Sequence, residues 1–137
     1  MDATVRRWIW WYQVAAGGCD AATGLLLVAA PTMTLGLMGL TVKPEPLALV
    51  RYVGVFVLAV GLSYLWLAAE GPAVSGDRWR TQWQITALVR TLVALFVSWQ
   101  VAVGGLEARW LSVAATDATF AAVQWLGLSR GWFGDGE

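Results

Sequence analysis

Four charged residues interrupt the long apolar stretches of this chain: Asp20, Arg51, Arg90 and Asp117. A charge within a lipid-spanning helix costs roughly 2.5–3.5 kcal/mol on insertion scales, so such residues usually turn towards protein and pair there. Two acids and two bases can neutralise one another. An intramembrane carboxylate without such a partner can instead carry a proton or a coupling ion. An arginine in the same position can hold a lipid or quinone head group. Arginine does not deprotonate, so two acids matched by two arginines favour structural pairing over transport.

Other chemistries lack their groups. The sequence has no His and a single Cys, Cys19. The commonest metal ligand and general base is therefore absent, as is ligation of a haem or pigment by a His of this chain. One Cys makes no intramolecular disulfide. There is no HExxH, Walker loop or GxSxG motif, and neither Gly17-Gly18 nor Gly36-x-x-Gly39 reads as a phosphate loop. The formal net charge is zero and no basic stripe occurs, so nucleic-acid binding has no electrostatic footprint. The expectation is a protein that is not an enzyme, with no metal site and no cofactor of its own.

The elements that must hold the four charges are helices. Hydrophobic residues make up 58% of the 137 and charged residues 13%, with a mean hydropathy of +0.62. A soluble domain averages roughly 25% charged, so too little polar surface is present to clothe one. A spanning helix needs ~20 largely apolar residues. Four segments qualify, Trp8–Ala30, Leu47–Ala69, Trp83–Gly104 and Trp110–Leu128. They use most of the chain and predict a single all-α membrane domain over 1–137, a bundle of four transmembrane helices.

Arg6 and Arg7 before an apolar run resemble the start of a signal peptide, and Ala16-Gly17-Gly18-Cys19 loosely resembles a lipoprotein cleavage box. Such boxes prefer Leu where Ala16 stands, and the run continues past Cys19 to Ala30, as a spanning helix would. The two arginines read better as a cytoplasmic flank. Four spans put both termini and the second loop on one side, with Arg6, Arg7, Arg78, Arg80 and Arg130; the other side carries Lys43 and Arg109. The positive-inside rule then places both termini in the cytoplasm of a bacterial-type inner membrane, crossed several times.

Ten Trp residues cluster at the predicted span ends. Trp8, Trp10, Trp11, Trp66, Trp79, Trp83, Trp125 and Trp132 fall towards the cytoplasmic side, and Trp99 and Trp110 towards the other. Amphipathic rings suit the head-group level, so interfacial anchoring is the simple reading. The excess on the inner side, with Trp8, Trp10, Trp11, Trp79, Trp83 and Trp132, suits contact with a partner subunit or a pigment.

The longest connection runs from Pro31 to Pro46. Its segment Thr32–Leu40 is too apolar for a solvated loop and suits a half-turn in the interface or against the bundle, with an interfacial helix and a docking loop both open. Lys43-Pro44-Glu45-Pro46 breaks the chain before the second span. Gly71-Pro72 and Ser75-Gly76-Asp77 mark an ordinary turn, and Gly104-Gly105 ends the third span. The short link that follows makes the third and fourth spans antiparallel neighbours.

Helical spacing sets the faces. Gln13, Gly17, Asp20 and Gly24 share one face; Arg51, Gly54, Leu58 and Gly61 share another. Thr86, Arg90, Ala94 and Val97 align, as do Ala114, Asp117, Ala121 and Gln124. Small residues around each charge let backbones approach and shield it from lipid, so all four charges are expected to point inward. Asp20 lies ~16–18 Å and Arg90 ~10 Å from the inner ends of their spans, and Arg51 and Asp117 roughly 6 and 10 Å from the outer ends. Depth therefore pairs Asp20 with Arg90 and Arg51 with Asp117, while both acids sharing one arginine stays open. Leu49-Val50-Arg51 followed by Val55-Phe56-Val57 parallels Leu88-Val89-Arg90 followed by Leu95-Phe96-Val97. With Asp-Ala steps in the outer spans, the charge order is acid, base, base, acid, as an inverted repeat would have.

Gly24-Leu25-Leu26-Leu27, Pro31, Leu37-x-Gly39-Leu40, Val50-Arg51-x-x-Gly54 and Gly61-Leu62 together resemble the small four-helix membrane proteins grouped as DoxX-like. The match covers mainly the first two spans. It implies a four-helix bundle, and some relatives resemble accessory subunits of respiratory oxidases. The expected function is a non-catalytic accessory or structural subunit of a larger photosynthetic or respiratory membrane assembly, touching membrane lipids and other subunits, with lipid or pigment contact. The alternative is a small ion- or proton-coupled transporter using Asp20 and Asp117.

Overall fold

The computed structural model describes residues 2–40, 47–71 and 73–134. Among them the only regular elements are helical: α1 (Ala3–Ala29), α2 (Pro31–Leu37), α3 (Leu47–Ala69), α4 (Gly76–Ala102) and α5 (Leu111–Ser129), with a single 3-10 turn at Ala108–Trp110 before α5. Two helices, α3 and α4, are long and apolar enough to cross a membrane. The expected breaker Lys43-Pro44-Glu45-Pro46 and Pro72 lie outside the described residues.

The chain divides into two compact units, one of Arg6–Ala73 and the other of Val74–Glu137 with Met1–Val5. In the first, α1 and α3 run antiparallel through two glycine contacts. A Cβ on Gly17 would come within 2.6 Å of Tyr64 Cβ and 3.0 Å of Gly61 O, and one on Gly61 within 2.8 Å of Gly17 O. Two turns along, a Cβ on Gly24 would meet Leu58 N and lie 2.7 Å from Gly54 O. The glycines of each helix are seven residues apart, the repeat that keeps contacts in register along helices wound left-handedly. At the end of the pair, Trp10 Nε1 donates to Ala68 O at 2.9 Å and Tyr12 meets Tyr64 edge-on at 6.4 Å between ring centres.

The segment after α1, left open between a helix and a docking loop, forms a short helix. Pro31 occupies its first turn, where a missing N–H costs nothing. Pro31, Thr34, Leu35 and Leu40 are buried, α2 packs on α3, and Leu37 and Met33 stay exposed.

In the second unit, α4 starts at Gly76, seven residues before the expected Trp83. Hydropathy marks where a helix becomes apolar, whereas the backbone helix continues through Asp77, Arg78 and Arg80. Ser75, in an extended conformation, precedes it, and Asp77 in the first turn suits the positive end of the helix dipole. The expected turn at Ser75-Gly76-Asp77 is thus a helix start. At the other end Gly104 takes φ 77°, which favours glycine and helps reverse the chain. The helix α5 then returns antiparallel to α4.

Candidate functional site

The buried face of α4 carries Trp79, Trp83, Thr86, Ala87, Arg90, Ala94 and Val97. Their spacing of three and four residues is one helical stripe. Opposite, α5 presents Ala114, Ala121, Gln124 and Gly127, all buried, with Asp117 half-buried among them. The two stripes meet in polar rungs. Arg90 Nη1 donates to Asp117 Oδ1 at 2.7 Å, with the two side chains 4% and 18% exposed. The Arg90 guanidinium also lies 4.6 Å from the centre of the Phe120 ring, whose electron-rich face favours a cation.

One rung further, Gln124 Nε2 donates to Thr86 Oγ1 at 2.6 Å. The Thr86 hydroxyl donates in turn to Gln82 O at 2.7 Å. Beside this seam, Trp125 Nε1 donates to Thr91 Oγ1 at 3.1 Å. Towards the start of α4, Trp83 fills the notch at Gly127: a Cβ there would stand 2.6 Å from Trp83 Cζ3 and 2.7 Å from Trp132 Cε3. Trp83 also meets Phe133 and Trp132 edge-on at 5.2 and 6.3 Å.

These positions bear on two expectations. Depth pairs Asp117 with Arg51 and leaves open that both acids share one arginine; the bond Asp117 forms is with Arg90. The depth was counted from a helix start at Trp83; from Gly76, Arg90 lies roughly 21 Å along α4. The short connection from α4 to α5 then brings Asp117 opposite it. All four charges were also expected to face inward. Arg90 is buried and Asp20 half-buried, whereas Arg51 is exposed near the start of α3.

The tryptophans divide as well. Trp8 and Trp11 are exposed, as interfacial rings would be, and Trp10 and Trp132 are half-buried. Trp79 and Trp83, expected as interfacial or partner-contacting, are fully buried. Both fall on the stripe of Thr86 and Arg90, so they belong to the helix contact. Their position on that stripe was legible in the spacing; the hydropathy boundary at Trp83 concealed it.

Gln13 is completely buried and neither polar atom of its amide has a hydrogen-bond partner. A buried amide without partners carries a desolvation cost of about 1–3 kcal/mol. Gln13→Met, similar in length and apolar, is therefore expected to hold or raise the thermal midpoint in detergent. A fall of several degrees would show that the amide is satisfied. Thr86→Val has the opposite expectation. It removes the acceptor of Gln124 Nε2 in a buried place and should cost about 0.5–1.5 kcal/mol, read as a lowered midpoint in the same measurement.

The seam joins a fixed cation, a carboxylate and a hydroxyl–amide pair, each engaged with its neighbour across the helix pair. Its chemistry is that of orientation and register. Among the described residues, no three His, Cys, Asp or Glu side chains are grouped to hold a metal. No protein-family model, curated protein or solved structure matches the chain.

Proposed function

We propose that this chain is a four-span integral protein of a bacterial-type inner membrane, with both termini cytoplasmic and no catalysis of its own. Its role is that of an accessory or structural subunit in a larger photosynthetic or respiratory assembly. The observation that carries the membrane reading is the outward apolarity of the long helices. Of the most apolar windows of α3 and α4, only 28% and 22% are buried. The core helix of a soluble protein would be mostly buried. Large residues such as Phe56, Leu62, Leu92, Leu95 and Phe96 are instead exposed. At ~1.5 Å per residue, α1 and α5 are also long enough to span.

The subunit reading is supported by the engaged charges and by the resemblance to DoxX-like proteins. A transporter that uses Asp117 would need a carboxylate able to release its partner, and Asp117 is held by Arg90, which keeps its charge. Extraction in mild detergent and identification of co-migrating chains tests the reading. Stoichiometric partner subunits are expected, and a lone homodimer would overturn it. Proton-coupled flux in vesicles, abolished by Asp20→Asn, would transfer the chain to the transporters. Tags at each terminus, both accessible only from the cytoplasmic side, are the expected topology result.

A further inference from the structure

We infer that the end of the second unit where α4 begins and α5 finishes holds a phospholipid head group, an inference that rests on the membrane reading above. A cavity of about 140 Å³ opens there, lined by Arg80, Leu128, Ser129, Gly131, Phe133 and Gly134. Its walls offer two complementary chemistries. Arg80 supplies a permanent cation whose planar fork suits a phosphate, and no hydrogen bond or ion pair engages Arg80 among the described residues. Ser129 supplies an acceptor. The Ser129 hydroxyl gives its proton to Leu126 O at 3.0 Å, which leaves its oxygen lone pairs for a donor.

A phosphodiester beside a hydroxyl or ammonium donor matches this pair of walls. Phosphatidylglycerol and phosphatidylethanolamine have both parts, and phosphatidylcholine lacks the donor. A soluble phosphate has only the first. The surroundings fit head-group depth. Arg78 and Arg130 are exposed at the same end of the unit, and Trp132 and Trp125 are half-buried and exposed there. Rings and basic side chains of this kind collect at the membrane–water boundary.

The test is native mass spectrometry of the full chain released from nanodiscs containing equal phosphatidylglycerol, phosphatidylethanolamine and phosphatidylcholine. The wild type should retain the first two over the third. Arg80→Gln should lower their retention about fivefold, the weight of one basic residue near an anionic surface. Ser129→Phe, which fills the cavity, should remove the preference, while Arg130→Gln should keep it. Equal retention by Arg80→Gln, no preference over phosphatidylcholine, or an equal loss with Arg130→Gln would each overturn the inference. Displacement by glycerol phosphate without discrimination among lipids would assign the cavity to a soluble phosphate and also overturn it. Recovery of the wild type in the soluble fraction would refute the membrane reading itself, an outcome distinct from lipid-bound protein that is indifferent to Arg80.

Discussion

Gly61→Val is expected to separate α1 from α3 and to leave little monodisperse protein after extraction. A Cβ at Gly61 would meet Ala21 N and stand 2.7 Å from Ala21 Cα and 2.8 Å from Gly17 O. All three are backbone atoms, so no rotamer change can make room and the helices must part. Overpacking costs about 1–3 kcal/mol and occasionally more. Here the upper end applies, because the atoms met are backbone and neither helix can yield without parting. Parting the helices at Gly61 also weakens the second contact, at Gly24 and Gly54. The control lies beside the contact. Gly18, next to Gly17, has nothing within 4 Å of an added Cβ. Gly18→Ala should therefore gain about 0.5–1 kcal/mol from reduced chain entropy. Denaturant titration followed by Trp fluorescence measures both. Equal effects of Gly61→Val and Gly18→Ala would refute the glycine contact.

Arg90→Met carries the second large effect. It leaves the Asp117 carboxylate half-buried without its cation, and breaking a buried pair from one side costs about 3–5 kcal/mol. Asp117 retains 18% exposure and can take up a proton, so the loss should fall at about 2–4 kcal/mol. Arg90→Met combined with Asp117→Leu should recover most of it, because two apolar side chains replace a pair whose desolvation offsets much of its attraction. Arg90→Lys should lie between, since the observed bond to Asp117 Oδ1 uses a single nitrogen, Nη1. A double-mutant cycle over these variants reads the coupling directly. Additive losses would mean that the two residues act independently and that the seam does not set helix register.

Helical periodicity alone identified most of the residues on the stripes that the structure buries, although Arg51 of the α3 stripe is exposed and Asp20, Leu58 and Asp117 are half-buried. Gln13, Gly17 and Gly24 on α1, Gly54 and Gly61 on α3, Thr86, Arg90, Ala94 and Val97 on α4, and Ala114, Ala121 and Gln124 on α5 are all buried. Spacing determines which residues share a face, whatever surrounds the helix. Charged and small residues among apolar ones then indicate which face turns to protein. The antiparallel relation of α4 and α5 was equally legible, because a short link admits little else.

Three features needed the tertiary structure. The bond from Arg90 to Asp117 depends on the stagger of two helices, which composition does not encode. The start of α4 at Gly76 depends on a backbone that stays helical through polar residues, where hydropathy is blind. The division of the tryptophans into exposed rings at Trp8 and Trp11 and buried ones at Trp79 and Trp83 depends on which faces meet. Sequence determines what each helix prefers to hide, because that follows from side-chain chemistry and a fixed angular step. Only the packed structure decides what each hidden group touches, because register is set by how facing surfaces interlock, as Gly61 against Ala21 and Arg90 against Asp117 do here.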